Sequence, residues 1–376
     1  MQNKGLYVHI PFCDHKCIYC DFYSIITNDN INSFLDSLKK EISYYSALYG
    51  TGKKFSTIYL GGGTPSLMDP SYITAIIDKL YSSFSLDSDA EITLETNPGT
   101  VNKEKLKSFK ESGVNRLSVG VQSFDNSDLK FLTRIHNCSA AIETIKNAAE
   151  IFDNISLDLI FNLPGQTREK WMKNLKQAVK LPVKHISAYS LILERGTILN
   201  KMVLDRKINL NDDDSDADLY ELTINYLSEN GFRQYEVSNF SKPGFECKHN
   251  LIYWQYGEYL GFGTSAHSFI NRKRWWNFSS LKRYISEIDL TGKASAGEET
   301  LSTDKSVSEY IMLALRSTGL NVNEFITNFG EDGIKKNYSY FETLINKNFA
   351  VKQGGIIRLT PKGYAVCDEI LTKISF

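Results

Sequence analysis

Three thiols lie within eight residues of one another in Cys13-Asp-His-Lys-Cys17-Ile-Tyr-Cys20, directly after the apolar run Leu6–Ile10. Thiolates are soft ligands, and a short loop can wrap three of them round one iron–sulfur cluster. A 4Fe-4S cluster ordinarily takes one cysteine per iron. Three cysteines leave one iron open to a small molecule, which suits ligand capture or catalysis better than passive electron transfer. The competing reading is a zinc site closed by His9 or His15. A disulfide fits worst, because it leaves a thiol over. Iron with acid-labile sulfide marks the cluster; zinc without sulfide marks the alternative. Cys138, Cys247 and Cys367 stand alone in the sequence.

Other polar residues could serve a ligand held beside such a cluster. Gly61-Gly62-Gly63-Thr64-Pro65 closes the run Thr57–Leu60. Glycines let another molecule approach the backbone and leave amides free to bond it. Glu95 closes Ile92–Thr96, Gln122 follows Arg116–Gly120, and Asp158 lies within Ile155–Phe161. A carboxylate and an amide there could bond the hydroxyls or amino group of a nucleoside-like ligand. Arg134 could pair with a ligand carboxylate. Any one of these is equally a satisfied buried group, a helix cap or a surface charge; together they hold equivalent strand-end positions facing one mouth. Gly261-x-Gly263-x-x-Ala266 approaches a dinucleotide fingerprint but leads into Ser265–Ile270, which reads as strand where that motif needs a helix.

Strand ends imply strands. Six β-rich runs, the five above plus His185–Leu191, alternate with amphipathic helical stretches. Ile31, Phe34, Leu35, Leu38, Ile42 and Tyr45 share one helical face, and Ile73, Ile76, Ile77 and Leu80 repeat that spacing. Serial βα units predict an α/β fold with a parallel sheet and right-handed crossovers. Six units fall short of a closed barrel, so a partial (β/α)6 barrel is expected, with chemistry on the loops after its strands. This body takes residues 1–205. Asn211–Asp218 (NDDDSDAD) reads as the acidic first turn of a helix or as a solvated linker. Residues 206–300 read as an irregular, aromatic and β-rich extension of the barrel. In 301–376, helical patterns at Val307–Leu315 and Phe341–Asn346 precede a hairpin of Phe349–Val351 and Ile356–Leu359, then Pro361 and a final helix. That order suggests a small winged-helix-like α+β domain.

Composition narrows the function classes. The chain has 376 residues, 42% hydrophobic and 23% charged, with 43 basic against 44 acidic side chains. Such a chain folds as about two globular domains and does not coat polyanions. Residues 301–376 carry nine basic and eight acidic side chains, too weak a bias for a nucleic-acid-binding wing, so no nucleic-acid partner is expected. No stretch approaches the ~18 apolar residues of a membrane helix. The first sixteen residues hold no apolar signal-peptide core, which points to the cytoplasm. Six cysteines are too few for a disulfide scaffold.

Tyr7-Val-His-Ile-Pro-Phe-Cys13-x-x-x-Cys17-x-Tyr19-Cys20, followed by Gly-Gly-Gly-Thr-Pro, resembles the radical S-adenosylmethionine (SAM) superfamily. The resemblance runs through Glu95-Thr-Asn-Pro98, Gly120-Val-Gln122-Ser-Phe124, Leu157-Asp158-Leu159-Ile160, Leu163-Pro-Gly-Gln-Thr167 and His249-Asn250-x-x-Tyr253-Trp254. It implies that Cys13, Cys17 and Cys20 ligate a 4Fe-4S cluster whose open iron chelates SAM. Tyr19 would touch the adenine. Gly62, Gly63 and Thr64 would bond the methionine part, and Tyr7 and Glu95 would help fix the ligand. Gln122, Arg134 and Asp158 match positions that contact a second SAM in some relatives. The implied chemistry is one-electron reduction of the sulfonium to a 5′-deoxyadenosyl radical, fed by a low-potential donor such as flavodoxin or ferredoxin.

Within the superfamily the chain is most similar to the branch holding the oxygen-independent coproporphyrinogen III oxidases and the HemW-type haem chaperones. The oxidases resemble C-x-x-x-C-x-x-C-x-C and carry a long N-terminal extension; this chain has Phe22 at the last position and six residues before Tyr7. Both departures favour the chaperones, which bind haem and pass it to an acceptor protein, with membrane contact arising through that acceptor. The His-Asn-x-x-Tyr-Trp stretch belongs with them too. By that resemblance His249 is a haem ligand, acting as a neutral imidazole with Tyr253 and Trp254 packed on the macrocycle. The residues alone also allow His249 to be a satisfied core histidine. The alternative function is radical decarboxylation of two coproporphyrinogen III propionates. A radical SAM enzyme modifying RNA is a third class, disfavoured by the charge of residues 301–376.

Overall fold

The computed structural model describes residues 3–27 and 29–374. Six strands, β1 (Gly5–Ile10), β2 (Lys54–Gly62), β3 (Ser85–Thr96), β4 (Arg116–Gln122), β5 (Asn154–Phe161) and β6 (His185–Ser190), run parallel in chain order. Between them lie α1 (Ile31–Tyr49), α2 (Pro70–Ser83), α3 (Lys103–Glu111), α4 (Asn126–Phe131), α5 (Cys138–Ala149) and α6 (Arg168–Val179). From α2 onward each of these helices opens on a side-chain cap (Asp69, Asn102, Asp125, Asn137 and Thr167) that accepts a backbone N–H of the first turn.

The strands alternate in a way that makes a site possible. Leu6, Val8, Ile10, Ile58, Leu60, Leu94, Leu117, Val119, Leu157 and Leu159 are fully buried on the helix-covered face. Burying each such side chain contributes roughly 1.5–3 kcal/mol. The intervening positions are polar and share the inner face. Register places Tyr7 opposite Tyr59, Tyr59 opposite Thr93, Glu95 opposite Ser118, Ser118 opposite Ser156, and Asp158 opposite Ser187. The concave side of the sheet is therefore a polar lumen.

The sheet is larger than the six strands expected. After α7 (Ile198–Leu204) and α8 (Asp213–Glu229), β7 (Arg233–Gln234) and β8 (Asn239–Ser241) add an antiparallel pair beside β6. At the other edge β9 (Tyr259–Gly263) runs parallel to β1, and β10 (His267–Ile270), β11 (Lys273–Asn277) and β12 (Ser295–Thr300) continue antiparallel. Among the described residues, twelve strands lie in one open sheet that ends at β12 and β7. Strands of two or three residues leave no period to read, and the polar β12 (Ser-Ala-Gly-Glu-Glu-Thr) has an edge strand's composition. Gly261 and Gly263 belong to β9, not to a phosphate loop. The acidic run opens α8, with Asp212 capping Ser215 N and Asp213, Asp214 and Asp216 in the first turn.

The His-Asn-x-x-Tyr-Trp stretch is helical, forming α9 (Lys248–Trp254), which precedes α10 (Leu281–Thr291). The remaining residues build α11 (Thr303–Leu315), a three-stranded sheet and further short helices. Their core is separate, with Ile311, Leu315, Phe325, Ile334 and Phe341 at its centre. Among the described residues, no helix is long and apolar enough to cross a membrane.

Candidate functional site

The loop after β1 is folded over the C-terminal ends of the strands. Backbone bonds pin its arms together: Cys13 N to Ile25 O at 3.0 Å and Ile25 N to Pro11 O at 2.8 Å. His9, inward on β1, bonds the Tyr23 carbonyl through Nε2 at 2.9 Å; that nitrogen must donate, so Nδ1 accepts from the Tyr7 hydroxyl at 3.1 Å. From other elements, Thr133 Oγ1 accepts the Ile18 N–H at 3.2 Å, and the Leu199 N–H reaches the Ile18 carbonyl at 2.9 Å. The loop is held from three sides.

Beneath it lies a cavity of about 380 Å³ lined by Cys13, Cys17 and Cys20 together with Tyr19, Gly62, Gly63, Thr64, Glu95, Gln122, Arg134 and Asp158. Eleven candidates scattered over some 145 residues of sequence thus share one space. All three thiols are free and half-buried. Among the described residues no three His, Cys, Asp or Glu side chains stand close enough together to hold a metal ion. Thiolates on separate irons of a cluster stand wider apart than ligands of one ion.

One polar network joins the loop to the strand ends. The Cys13 thiol donates to the His15 carbonyl at 2.8 Å and lies 3.2 Å from Thr64 Oγ1. Asn97 Nδ2 donates to Thr64 Oγ1 at 2.9 Å, and Asn97 Oδ1 accepts from Arg134 Nη2 at 2.6 Å. Arg134 also donates to the Gly120 carbonyl at 2.8 Å and from Nη1 to Cys17 Sγ at 3.7 Å. Its buried Nε has no partner, so that N–H remains for an anionic group. Glu95 accepts the Tyr59 hydroxyl at 2.9 Å and the Gly62 N–H at 3.1 Å. Burial pushes its carboxyl up to about 7 against those bonds. Asp158 is raised as well, by burial, and accepts from Ser118 at 3.3 Å. Burial, then the Arg134 charge, holds His136 down at about 4.

The backbone is shaped for close approach. A Cβ on Gly63 would sit 2.6 Å from the Phe12 carbonyl oxygen, and one on Gly120 would sit 2.8 Å from Asn97 Oδ1. Gln122 and Thr133, both at the mouth, take φ of 69° and 55°. A left-handed backbone at such residues is strained, and strain of this kind gathers at functional sites. Tyr19 packs on the small apolar cluster of Leu132, Ile160 and Leu163 beside the cavity. Free thiols, an unpaired guanidinium nitrogen and a glycine-lined wall together fit a thiolate-held cluster with an amino-acid ligand.

Two candidates lie outside that space. Tyr7 does not line the cavity; it sits deeper in the lumen, stacked with Tyr59 at 6.2 Å between centroids. His249 lies deeper still, at the level of Gly5 and Thr57, where β1 and β2 begin. It is 1% exposed, with Nδ1 bonded to Thr57 Oγ1 at 2.7 Å and Nε2 to the Tyr253 hydroxyl at 2.8 Å. Burial and the Arg116 charge lower its pKa to about 3, so the ring is neutral. A neutral imidazole is the form that ligates iron, but in this arrangement both ring nitrogens are hydrogen-bonded and the ring is buried. Asn97, Ser118, Tyr59 and Thr133 were missed. Asn97 and Ser118 occupy the same strand-end positions that singled out Glu95 and Gln122; Tyr59 reads as one more strand aromatic, and Thr133 gives no signal.

Residues 7–178 match the model of the radical SAM superfamily. The chain is 35% identical to the haem chaperone HemW of Bacillus subtilis over 98% of both chains. It is 39% identical to that of Escherichia coli over 70% of this chain and 69% of the relative. The chain belongs to the HemW family of radical SAM proteins. Its structure superposes on that of the E. coli coproporphyrinogen III oxidase HemN with a TM-score of 0.84, at 25% identity, covering 99% of this chain and 89% of that one. Membership of the superfamily carries a 4Fe-4S cluster and SAM with it.

Proposed function

We propose that the chain is a haem chaperone, binding haem and handing it to an acceptor protein, with a 4Fe-4S cluster and SAM at the strand-end cavity. The observation that carries this reading is the rim of that cavity. Phe22, where the oxidases carry a further cysteine, is 62% exposed, and Ile192, which also lines the cavity, is 68% exposed. A site that encloses a substrate for radical chemistry buries such residues; a site that exchanges a flat apolar macrocycle presents them. Similarity along the whole chain to proteins named haem chaperones supports the same reading.

Cys13, Cys17 and Cys20 would hold the cluster. When bound and reduced, cluster and SAM supply one-electron cleavage of the sulfonium. The chain's own part is binding and positioning. Arg134 Nε and the amides of the glycine run suit the methionine carboxylate, and Glu95 suits the amino group. Asp158 and Gln122 suit sugar hydroxyls, and Tyr19 offers a ring edge to the adenine. The 191–199 segment is tied to the loop through the Leu199 N–H to Ile18 carbonyl bond. Electrons would come from a low-potential flavodoxin- or ferredoxin-type donor.

The second reading is coproporphyrinogen III oxidation, which the superposition on HemN favours. Two mixtures separate them. Anaerobically reconstituted protein given haemin should retain a Soret band through gel filtration and lose it to an added apo-acceptor. Given coproporphyrinogen III, SAM and reductant, it should form no vinyl product. Product formation without haem retention would establish the oxidase instead.

A further inference from the structure

The helix α9 packs as a plug against the end of the lumen opposite the cysteine loop, with His249 and Ile252 buried. Glu91, at the N-terminal end of the inner row of β3, accepts the Lys248 N–H at 3.2 Å and the His249 N–H at 3.1 Å, capping the helix from inside the barrel. Arg116, 2% exposed at the start of β4, supplies the facing charge. The plug is backed by the C-terminal domain, where Tyr256 meets Tyr310 at 5.9 Å between ring centroids.

From this plug a column of side chains rises to the mouth. The His249 ring stacks on Tyr59 at 5.0 Å between centroids and 29° between planes. Tyr59 donates its hydroxyl to Glu95 Oε1 at 2.9 Å, and Glu95 Oε2 receives the Gly62 N–H at 3.1 Å. Below, Thr57 and Tyr253 fix the imidazole at both nitrogens, so its plane cannot turn. Among the described residues Glu95 is the one hydrogen-bond partner of the Tyr59 hydroxyl, and the Tyr59 ring is held from two sides by His249 and Tyr7.

We propose that His249 is a positioning residue for the SAM site: through the stacked Tyr59 it sets where the Glu95 carboxylate and the Gly62 amide stand at the mouth. The inference rests on the reading of Glu95 as a SAM contact and deepens it. It assigns the His-Asn-x-x-Tyr-Trp helix a task in holding the cofactor pocket, in place of direct ligation of iron by His249 as the protein stands. In this arrangement the far end of the barrel is coupled to the near end by a rigid column, and a change at α9 is felt as a change in SAM affinity.

The test uses the full-length reconstituted protein. SAM affinity is measured by isothermal titration, and the electron paramagnetic resonance spectrum of the reduced cluster is recorded with and without SAM; haemin retention is read on the same samples. Tyr59→Phe keeps the ring and removes the bond to Glu95; His249→Ala removes the stacking face; His249→Gln restores bonds to Thr57 and Tyr253. Tyr59→Phe and His249→Ala should each weaken SAM about tenfold, and the double variant should lose no more than the worse single one, because both act through Glu95. His249→Gln should recover part of the loss, and haemin retention should persist throughout. Unchanged SAM affinity and spectrum in both single variants would overturn the proposal, as would loss of haemin with SAM binding intact in His249→Ala. If His249→Ala does not fold, Tyr59→Phe alone decides by the same readouts. Glu95→Gln separates the two levels. If it weakens SAM while Tyr59→Phe and His249→Ala do not, the column fails and the site stands; if Glu95→Gln is silent, Glu95 is no SAM contact and both fall.

Discussion

Glu41 offers the sharpest stability test, because a carboxylate in the middle of a helix is fully buried there. On α1, it accepts the Tyr284 hydroxyl at 2.6 Å, the Gly263 N–H at 2.9 Å and Asn277 Nδ2 at 2.6 Å. It thereby ties α1 to β9, β11 and α10, and Gly263 pairs with His9, which props the cysteine loop. Glu41→Ala strands three buried donors at about 1–3 kcal/mol each, partly relieved by water, so a loss of about 3–6 kcal/mol is expected. Glu41→Gln carries a pH signature. Burial raises the Glu41 carboxyl to about 7 from an ordinary 4.5, so between those values the folded chain binds a proton that the unfolded chain releases. The stabilisation from that proton is complete below the unfolded value and is lost as pH rises through about 7. The wild type should therefore lose roughly 3 kcal/mol against Glu41→Gln between about pH 5 and pH 8. Urea titrations of the apoproteins at both pH values, followed by tryptophan emission, measure this. A wild-type-minus-variant difference that is flat with pH, or a Glu41→Ala cost below about 1 kcal/mol, would refute the reasoning.

Gly63→Ala places a methyl 2.6 Å from the Phe12 carbonyl, backbone against backbone; SAM affinity by equilibrium dialysis should fall at least about tenfold, and an unchanged value would contradict the assigned wall. Cys13→Ala, Cys17→Ala and Cys20→Ala should each abolish stable iron and sulfide retention after desalting, whereas Cys138→Ala, on the outer helix α5, should retain both. Arg134→Lys keeps the charge but cannot fork to Asn97 and Gly120 together. It should cost about 1.5–3 kcal/mol in SAM binding; a loss seen only in thermal stability would assign Arg134 to the fold alone.

The helical faces and the six parallel strands were legible because period signals are strong where one side is packed and the other polar. The strand-end positions of Glu95, Gln122 and Asp158 anticipated that the three line one cavity, since a parallel α/β sheet brings the ends of all its strands to one mouth. The strand order of the extension was not legible. β7 and β8 are too short to show a period, and β12 is polar because it is an edge. His249 shows the harder limit. A sequence presents its imidazole, not the Thr57 and Tyr253 hydroxyls that occupy both nitrogens, and those partners lie far off or one helical turn away. Tyr7 and Glu95 both point into the lumen, and only depth along its axis decides which of them meets the cavity.

The central claim is that three thiols hold a cluster whose remaining iron takes SAM. Electron paramagnetic resonance of the anaerobically reconstituted, dithionite-reduced chain, recorded before and after adding SAM, tests it most directly. A 4Fe-4S signal that shifts on SAM addition is predicted, and it should be absent in Cys17→Ala. A signal indifferent to SAM, or a protein that takes up zinc and shows no iron–sulfur signal, would contradict the account.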